Sequence, residues 1–160
     1  MIKVCDNLYV GNQTHCFYDE KIGWVVIHAC KDPCHKIAVH YRGSLPKTHP
    51  NYLIKKDETH LYLNMVDMET KLTHIFTGPI VSAALDFIDK NIQMKSVLIH
   101  CNHGQSRSPS LALLYLAKRK KIISNEKYES AKMEFIKLFP TYSPGRGIEL
   151  YLTDHWKDIS

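Results

Sequence analysis

No apolar stretch in the 160 residues approaches the roughly 20 that a membrane span needs, so no membrane partner is expected. Nor does the start read as a secretory leader: Met1 is followed by Ile2, Lys3, Val4, Cys5 and Asp6 rather than by a long apolar core. A disulfide framework is missing too. Cys5, Cys16, Cys30, Cys34 and Cys101 are an odd set without regular spacing, which argues for a reducing, cytoplasmic setting. No internal repeat, low-complexity tract or linker interrupts the chain. One domain over 1–160 is expected, of a size that buries about two thirds of its surface without staples. Charge of one sign is scarce: the net charge is +5, and Lys118, Arg119, Lys120 and Lys121 form the one dense basic run. That run reads plainly as a solvated helix end. With no aromatic-interleaved basic stripe beside it, a nucleic-acid partner is not expected.

Histidine, by contrast, is plentiful at ten residues, so metal binding has to be weighed. Cys30, Cys34 and His35, with His28, imitate ligands, yet no second pair stands at zinc-site spacing. Neither a metal nor another cofactor is expected.

The patterning predicts strands over 7–11, 24–30, 60–66 and 96–100, from β-branched or alternating runs. Pro79 after Gly78 marks a helix's first turn, with Ile80, Ala84, Leu85 and Ile88 on one face. Ser108 and Pro109 supply an N-cap and first-turn proline for the next helix. Tyr128, Ala131, Phe135 and Leu138 mark a third helix, closed by Pro140, and Ile148, Tyr151, Leu152 and Trp156 a fourth. Residues 31–59, broken by Pro33, Pro46 and Pro50, read as irregular. The expected fold is α/β: a central, mostly parallel twisted sheet flanked by helices, with its chemistry at the carboxyl edge of the strands.

That edge is where "VLIHCNHGQSRSPSLALLY" (97–115) departs from ordinary habit. A buried strand ends in His100 and Cys101, a short loop follows, and a helix begins beside Arg107. Successive amides of residues 102–107 can line one concavity, and a helix N-terminus adds about half a positive charge. Gly104 lets the loop turn, and the planar fork of Arg107 matches two oxygens of a tetrahedral anion. The same groups favour a thiolate at Cys101, a nucleophile aimed at bound phosphorus. A buried cysteine is more often an apolar filler. That reading suits Cys5, Cys16 and Cys30, but it leaves the glycine, arginine and helix start after Cys101 without a purpose.

"HCNHGQSRS" resembles the His-Cys-x5-Arg-Ser signature of the cysteine-dependent protein phosphatases, most of all their dual-specificity branch. "LYVG" near the start, "LNMVD" before the long helix and "YSPGRG" near the end are similar to that family's opening strand, acid loop and C-terminal turn. The resemblance implies a phosphotyrosine-phosphatase-like fold of the dual-specificity type. It also implies a phosphocysteine mechanism without metal. Cys101 would attack phosphorus. Arg107 and the loop Asn102, His103, Gly104, Gln105 and Ser106 would bind the phosphate or a similar oxyanion, and Ser108 would assist release. Asp67, which by its residues alone reads equally well as a turn cap, takes the family's general-acid position. Glu69 is its understudy, and Asp57 fits less well because it precedes the strand. His100 would support the loop, close to the role of an ordinary core histidine. Two departures stand out: His103 at the pocket rim, and Gly145 where the family's turn carries asparagine.

The implied substrate is a protein phosphorylated on tyrosine and on serine or threonine. The same chemistry on RNA 5′-triphosphates, phosphoinositides or phosphorylated glycans is the first alternative. A sulfur transferase would have no use for Asp67. A phosphate-binding module without turnover is the alternative of a different class.

Overall fold

The apolar runs become strands because β-branched side chains suit a pleated, doubly covered surface. In the computed structural model, which describes residues 1–16 and 21–160, six strands form one sheet. They are Ile2–Cys5 (β1), Leu8–Gly11 (β2), Trp24–His28 (β3), Ile54–Lys56 (β4), His60–Leu63 (β5) and Ser96–His100 (β6). The order across the sheet is β1-β2-β6-β3-β5-β4. β2, β6, β3 and β5 are parallel, while β1 and β4 close the edges antiparallel. The sheet is therefore mostly parallel, as expected. β1 and β4 are additions that the sequence reading did not contain.

Helices follow at Lys36–Val39 (α1), His74–Asn91 (α2), Arg107–Leu114 (α3), Tyr128–Leu138 (α4) and Arg146–His155 (α5). Successive strand residues point to opposite faces. Leu8, Val10, Val25, Ile27, Leu61, Leu63, Val97 and Ile99 share one core with the buried faces of α2 to α5. The opposite set, His28, His60 and His100 with Val26 and Leu98, lies outside that core and is also buried. One sheet face is thus aliphatic, and the other carries a row of histidines.

Several local expectations need correction. α2 begins at His74, not at Pro79, because the Thr73 carbonyl accepts the Phe76 and Thr77 amides and closes the first turn. Pro79 lies inside the helix, where it forgoes one backbone bond. Its predicted face (Ile80, Ala84, Leu85, Ile88) is buried as expected. α3 begins at Arg107, so Ser108 is not its N-cap; the Ser108 hydroxyl turns instead toward Cys101 and the Gly11 carbonyl. Leu138 ends α4 exposed, while Tyr128, Ala131 and Phe135 are buried. Residues 31–59 contain a wide turn (Lys31–His35), α1 and β4, so they are not wholly irregular. Among the described residues, no helix is long and apolar enough to cross a membrane.

The basic run is only partly solvated. Lys118 Nζ donates to the Trp156 carbonyl and lies 4.2 Å from that ring's centroid. Arg119 pairs with Asp86 and Asp89 of α2. Lys120 and Lys121 are exposed.

Candidate active site

The loop between β6 and α3 folds around one sulfur. Cys101 is 2% exposed; its Sγ accepts from the Gly104 amide at 3.3 Å and lies 3.1 Å from Ser108 Oγ. Gly104 has φ of +72°, and a β-carbon there would stand 2.9 Å from the Gly11 carbonyl oxygen. Backbone conformation and close approach both demand glycine at this point.

The Ser108 hydroxyl has one proton and two acceptors in reach. Gly11 O accepts from it at 3.2 Å, and an anionic sulfur, 3.1 Å away, would accept that hydrogen bond instead. A protonated thiol reverses the relay, with sulfur donating to Ser108 and Ser108 to Gly11.

Arg107 spans the loop. One terminal nitrogen donates to the Met65 carbonyl at 3.1 Å and the other to Asn102 Oδ1 at 2.5 Å. Asn102 is held in turn by its own amide, which donates to the Asp32 carbonyl (2.9 Å) and to Gln13 Oε1 (3.3 Å). The buried Nε–H of Arg107 has no hydrogen-bond partner among the described residues. A buried guanidinium N–H without an acceptor is costly unless an incoming group completes it, and an oxyanion does so with a charge-assisted bond.

Behind the loop a polar relay holds its far end. Ser110 Oγ donates to the Ser106 carbonyl at 2.6 Å, so the Tyr142 hydroxyl, 2.8 Å away, donates to Ser110. Burial pushes the Tyr142 phenol up to about 12, which keeps it a donor. Ser106 Oγ accepts from the Gly145 amide at 2.8 Å, and the Gln105 carbonyl accepts from the Ser143 amide at 2.8 Å.

Those bonds bring the turn before α5 against the loop that carries Asp67. A β-carbon on Gly145 would collide with the Asp67 carboxylate, and one on Gly147 with the carbonyls of Met68 and Thr70. The Gly147 amide donates to the Met68 carbonyl at 2.8 Å. Asp67 is exposed on the β5–α2 connection, two residues beyond the carbonyl that Arg107 grips, with its carboxylate against Gly145.

Of the other sequence candidates, His103 and Gln105 are exposed at the rim, and Arg146 is solvent-facing. Glu69 is exposed on the Asp67 loop. Asp57 lies elsewhere: its Oδ1 accepts from the Thr59 and His60 amides and caps the β4–β5 turn. His100 is fully buried, with Nε2 2.7 Å from His28 Nδ1. The sequence reading missed Gly11, Gln13, Met65, Ser110 and Tyr142. They contribute largely through backbone carbonyls or from distant segments, and neither leaves a residue-type signature.

The structure resembles solved phosphatase domains along nearly its whole length. The human tyrosine phosphatase-like serine/threonine/tyrosine-interacting protein matches with a TM-score of 0.63 at 18% identity, covering 98% of this chain and 95% of that one. Human DUSP28 matches at 0.63 and 14% identity, covering 99% and 96%. The Yvh1 phosphatase domain of Chaetomium thermophilum matches at 0.61 and 20% identity, covering 98% and 94%. At such identities these likenesses speak for the fold. Residues 25–141 match the family model of the dual specificity phosphatase catalytic domain, which takes in all of β3 but Trp24, the Asp67 loop, the Cys101 loop and α4. The chain accordingly belongs to the dual-specificity phosphatases.

Proposed function

We propose that the protein hydrolyses phosphomonoesters of phosphorylated proteins through a phosphocysteine intermediate, with Cys101 as nucleophile and Asp67 as general acid. The observation that carries this reading is the convergence on one cup of an amide-cradled sulfur and an arginine fork with a buried N–H to spare. In the first step Cys101 sulfur forms a bond to phosphorus, the bond to the leaving oxygen breaks, and Asp67 delivers its proton to that oxygen. In the second, water attacks phosphorus and gives its proton to Asp67, while the phosphorus–sulfur bond breaks and phosphate departs. The Ser108 hydroxyl turns from Gly11 O to the leaving sulfur, which is why it serves better there than as a helix cap. Arg107 and the loop amides hold the equatorial oxygens in both steps. His100 positions the loop from behind.

The exposed rim suits a protein substrate. Beside the loop, joined to it by the Asn102–Asp32 bond, lies an open groove of about 700 Å³ lined by Asp32, Lys36, His40, Tyr41 and Arg42. Lys36 pairs there with Asp32 at 2.7 Å, and the remaining basic side chains, His40 and Arg42, favour acidic or phosphorylated polypeptide. The Lys118–Lys121 run offers a polyanion less than its sequence suggests, because Lys118 and Arg119 are engaged within the protein and only Lys120 and Lys121 are exposed.

The test is phosphate release from an aryl phosphate and from phosphotyrosine and phosphothreonine peptides, by wild type and Cys101→Ser. Turnover by wild type alone is expected. Phosphopeptide binding without turnover by wild type would make the protein a recognition module. A strong preference for phosphoinositide or 5′-triphosphorylated RNA would move the substrate class.

A further inference from the structure

Behind the catalytic loop, on the histidine-bearing face of the sheet, four ligand-type side chains from four separate segments converge. Cys16 follows β2, His28 ends β3, Cys34 lies in the wide turn before α1, and His100 ends β6. Their two sulfurs and two ring nitrogens all lie within 4.8 Å of one another, and all but Cys16 are buried. Cys16 Sγ is 3.4 Å from Cys34 Sγ and 3.8 Å from His28 Nδ1. Cys34 Sγ is 3.9 Å from His100 Nε2, and the two nitrogens are 2.7 Å apart.

These edges can be compared with a tetrahedral ion. Metal–sulfur bonds of about 2.3 Å and metal–nitrogen bonds of about 2.0–2.1 Å put sulfurs about 3.8 Å apart, sulfur and nitrogen about 3.6 Å, and nitrogens about 3.4 Å. The two sulfur–nitrogen edges, 3.8 and 3.9 Å, are slightly longer than this and the sulfur–sulfur edge, 3.4 Å, is shorter. The nitrogen edge is the shortest against its ideal, because an imidazole hydrogen bond holds it, and opening it by about 0.7 Å and the sulfur–sulfur edge by about 0.4 Å admits the ion. The outer shell is in place for His28, whereas Nδ1 of His100 is buried without a hydrogen-bond partner among the described residues. His28 Nε2 is hydrogen-bonded to His60 Nδ1 at 3.0 Å, which leaves Nδ1 for the cluster, and stacking on Tyr62 at 4.4 Å fixes the ring plane.

We propose that Cys16, His28, Cys34 and His100 form a closed Cys2His2 site for a divalent, thiophilic ion of the zinc type. Each thiol releases its proton to solvent on binding, so the two thiolates cancel the ion's charge and the assembly can be buried without an uncompensated charge. With four protein donors and no open position, the site is structural. It ties the segment after β2, the turn before α1 and the ends of β3 and β6 together, next to Cys101. This revises the sequence expectation of no metal. The ligands come from four segments instead of two local pairs, and Cys30 and His35 are not among them. His35 is instead engaged by Tyr41 and Asn51.

The experiment is metal content of the full chain purified under reducing conditions with zinc, together with the visible spectrum after cobalt substitution. One equivalent and the intense bands of tetrahedral thiolate-bound cobalt are expected. Cys16→Ser and Cys34→Ser should weaken cobalt binding by more than the roughly 10–100-fold of an outer-shell change. Cys5→Ser, Cys30→Ser and Cys101→Ser should bind as wild type. The last of these separates this site from the phosphatase reading, since it removes turnover and leaves the metal. Should the ligand variants not fold, a chelator must lower the melting temperature of wild type and zinc restore it. Wild type that takes up neither ion overturns the proposal, as does loss of the metal in Cys30→Ser. So does recovery of a Cys16–Cys34 disulfide from protein purified with zinc present.

Discussion

Gly145 packs directly against the carboxylate of Asp67, in space that any β-carbon would occupy. The glycine that departs from the family's asparagine is therefore what seats the proposed acid, while its amide anchors Ser106 of the proposed phosphate loop. Gly145→Ala should push Asp67 aside and lower kcat. A displacement on the order of 1 Å can cost about 10²-fold. The loss should be larger for an alkyl phosphate than for an activated aryl phosphate. Equal losses would mean that the turn supports the loop alone.

Asp67→Asn isolates the proton delivery itself. General acids contribute about 10²–10⁴-fold, so phosphoserine peptides should slow by that order. A nitrophenyl ester, whose leaving group needs little protonation, should slow far less. Uniform slowing would transfer the role to another group, Glu69 first.

Ser108→Ala removes the hydroxyl 3.1 Å from the sulfur. Thiolate departure in the second step should suffer most, so phosphocysteine should accumulate and appear as a burst of leaving group followed by slow turnover. Slowing without a burst would confine Ser108 to shaping the loop against Gly11.

Stability should fall on mild acidification. His35 is fully buried, and burial holds its imidazole below the ordinary value, despite the hydrogen bond to the Asn51 carbonyl. A group depressed in the folded state is neutral in both states above about pH 6.5. As pH falls through that value, protons bind the unfolded chain first and stability drops, by about 1.4 kcal/mol per unit of depression. His15 is lowered in the same direction, again with burial as the leading cause. Melting temperatures from pH 8 to pH 5 should decline, and His35→Asn should flatten the slope. An unchanged slope would remove His35 from the account.

The legible parts of this chain are those whose chemistry is contiguous. Strand, sulfur, glycine, arginine and helix start occupy one short stretch, so the loop could be drawn from residue types. The four central strands announced themselves through β-branched or alternating apolar runs. β1 and β4 did not: they are short edges, one ending in Lys55 and Lys56, and their existence depends on partners elsewhere in the sequence. Ser108 misled because a serine before proline is a good cap in isolation, whereas here tertiary contact with Cys101 and Gly11 claims its hydroxyl. Of the sulfur–imidazole cluster only His28 and Cys34 stood out in the sequence, for a related reason. Spacing rules search for neighbours in sequence, and Cys16 and His100 meet only once β2, β6 and β3 lie side by side.

The alternation of β6 has a consequence of its own. His100 faces the histidine side of the sheet, and Cys101, the next residue, joins the aliphatic core on the other. One peptide bond therefore joins two chemically unlike compartments. Sliding β6 by a single residue against β2 and β3 would exchange them, offering an imidazole to the phosphate cup and a thiol to the imidazole row. Neither compartment could tolerate the trade, so each acts as a check on the alignment that serves the other.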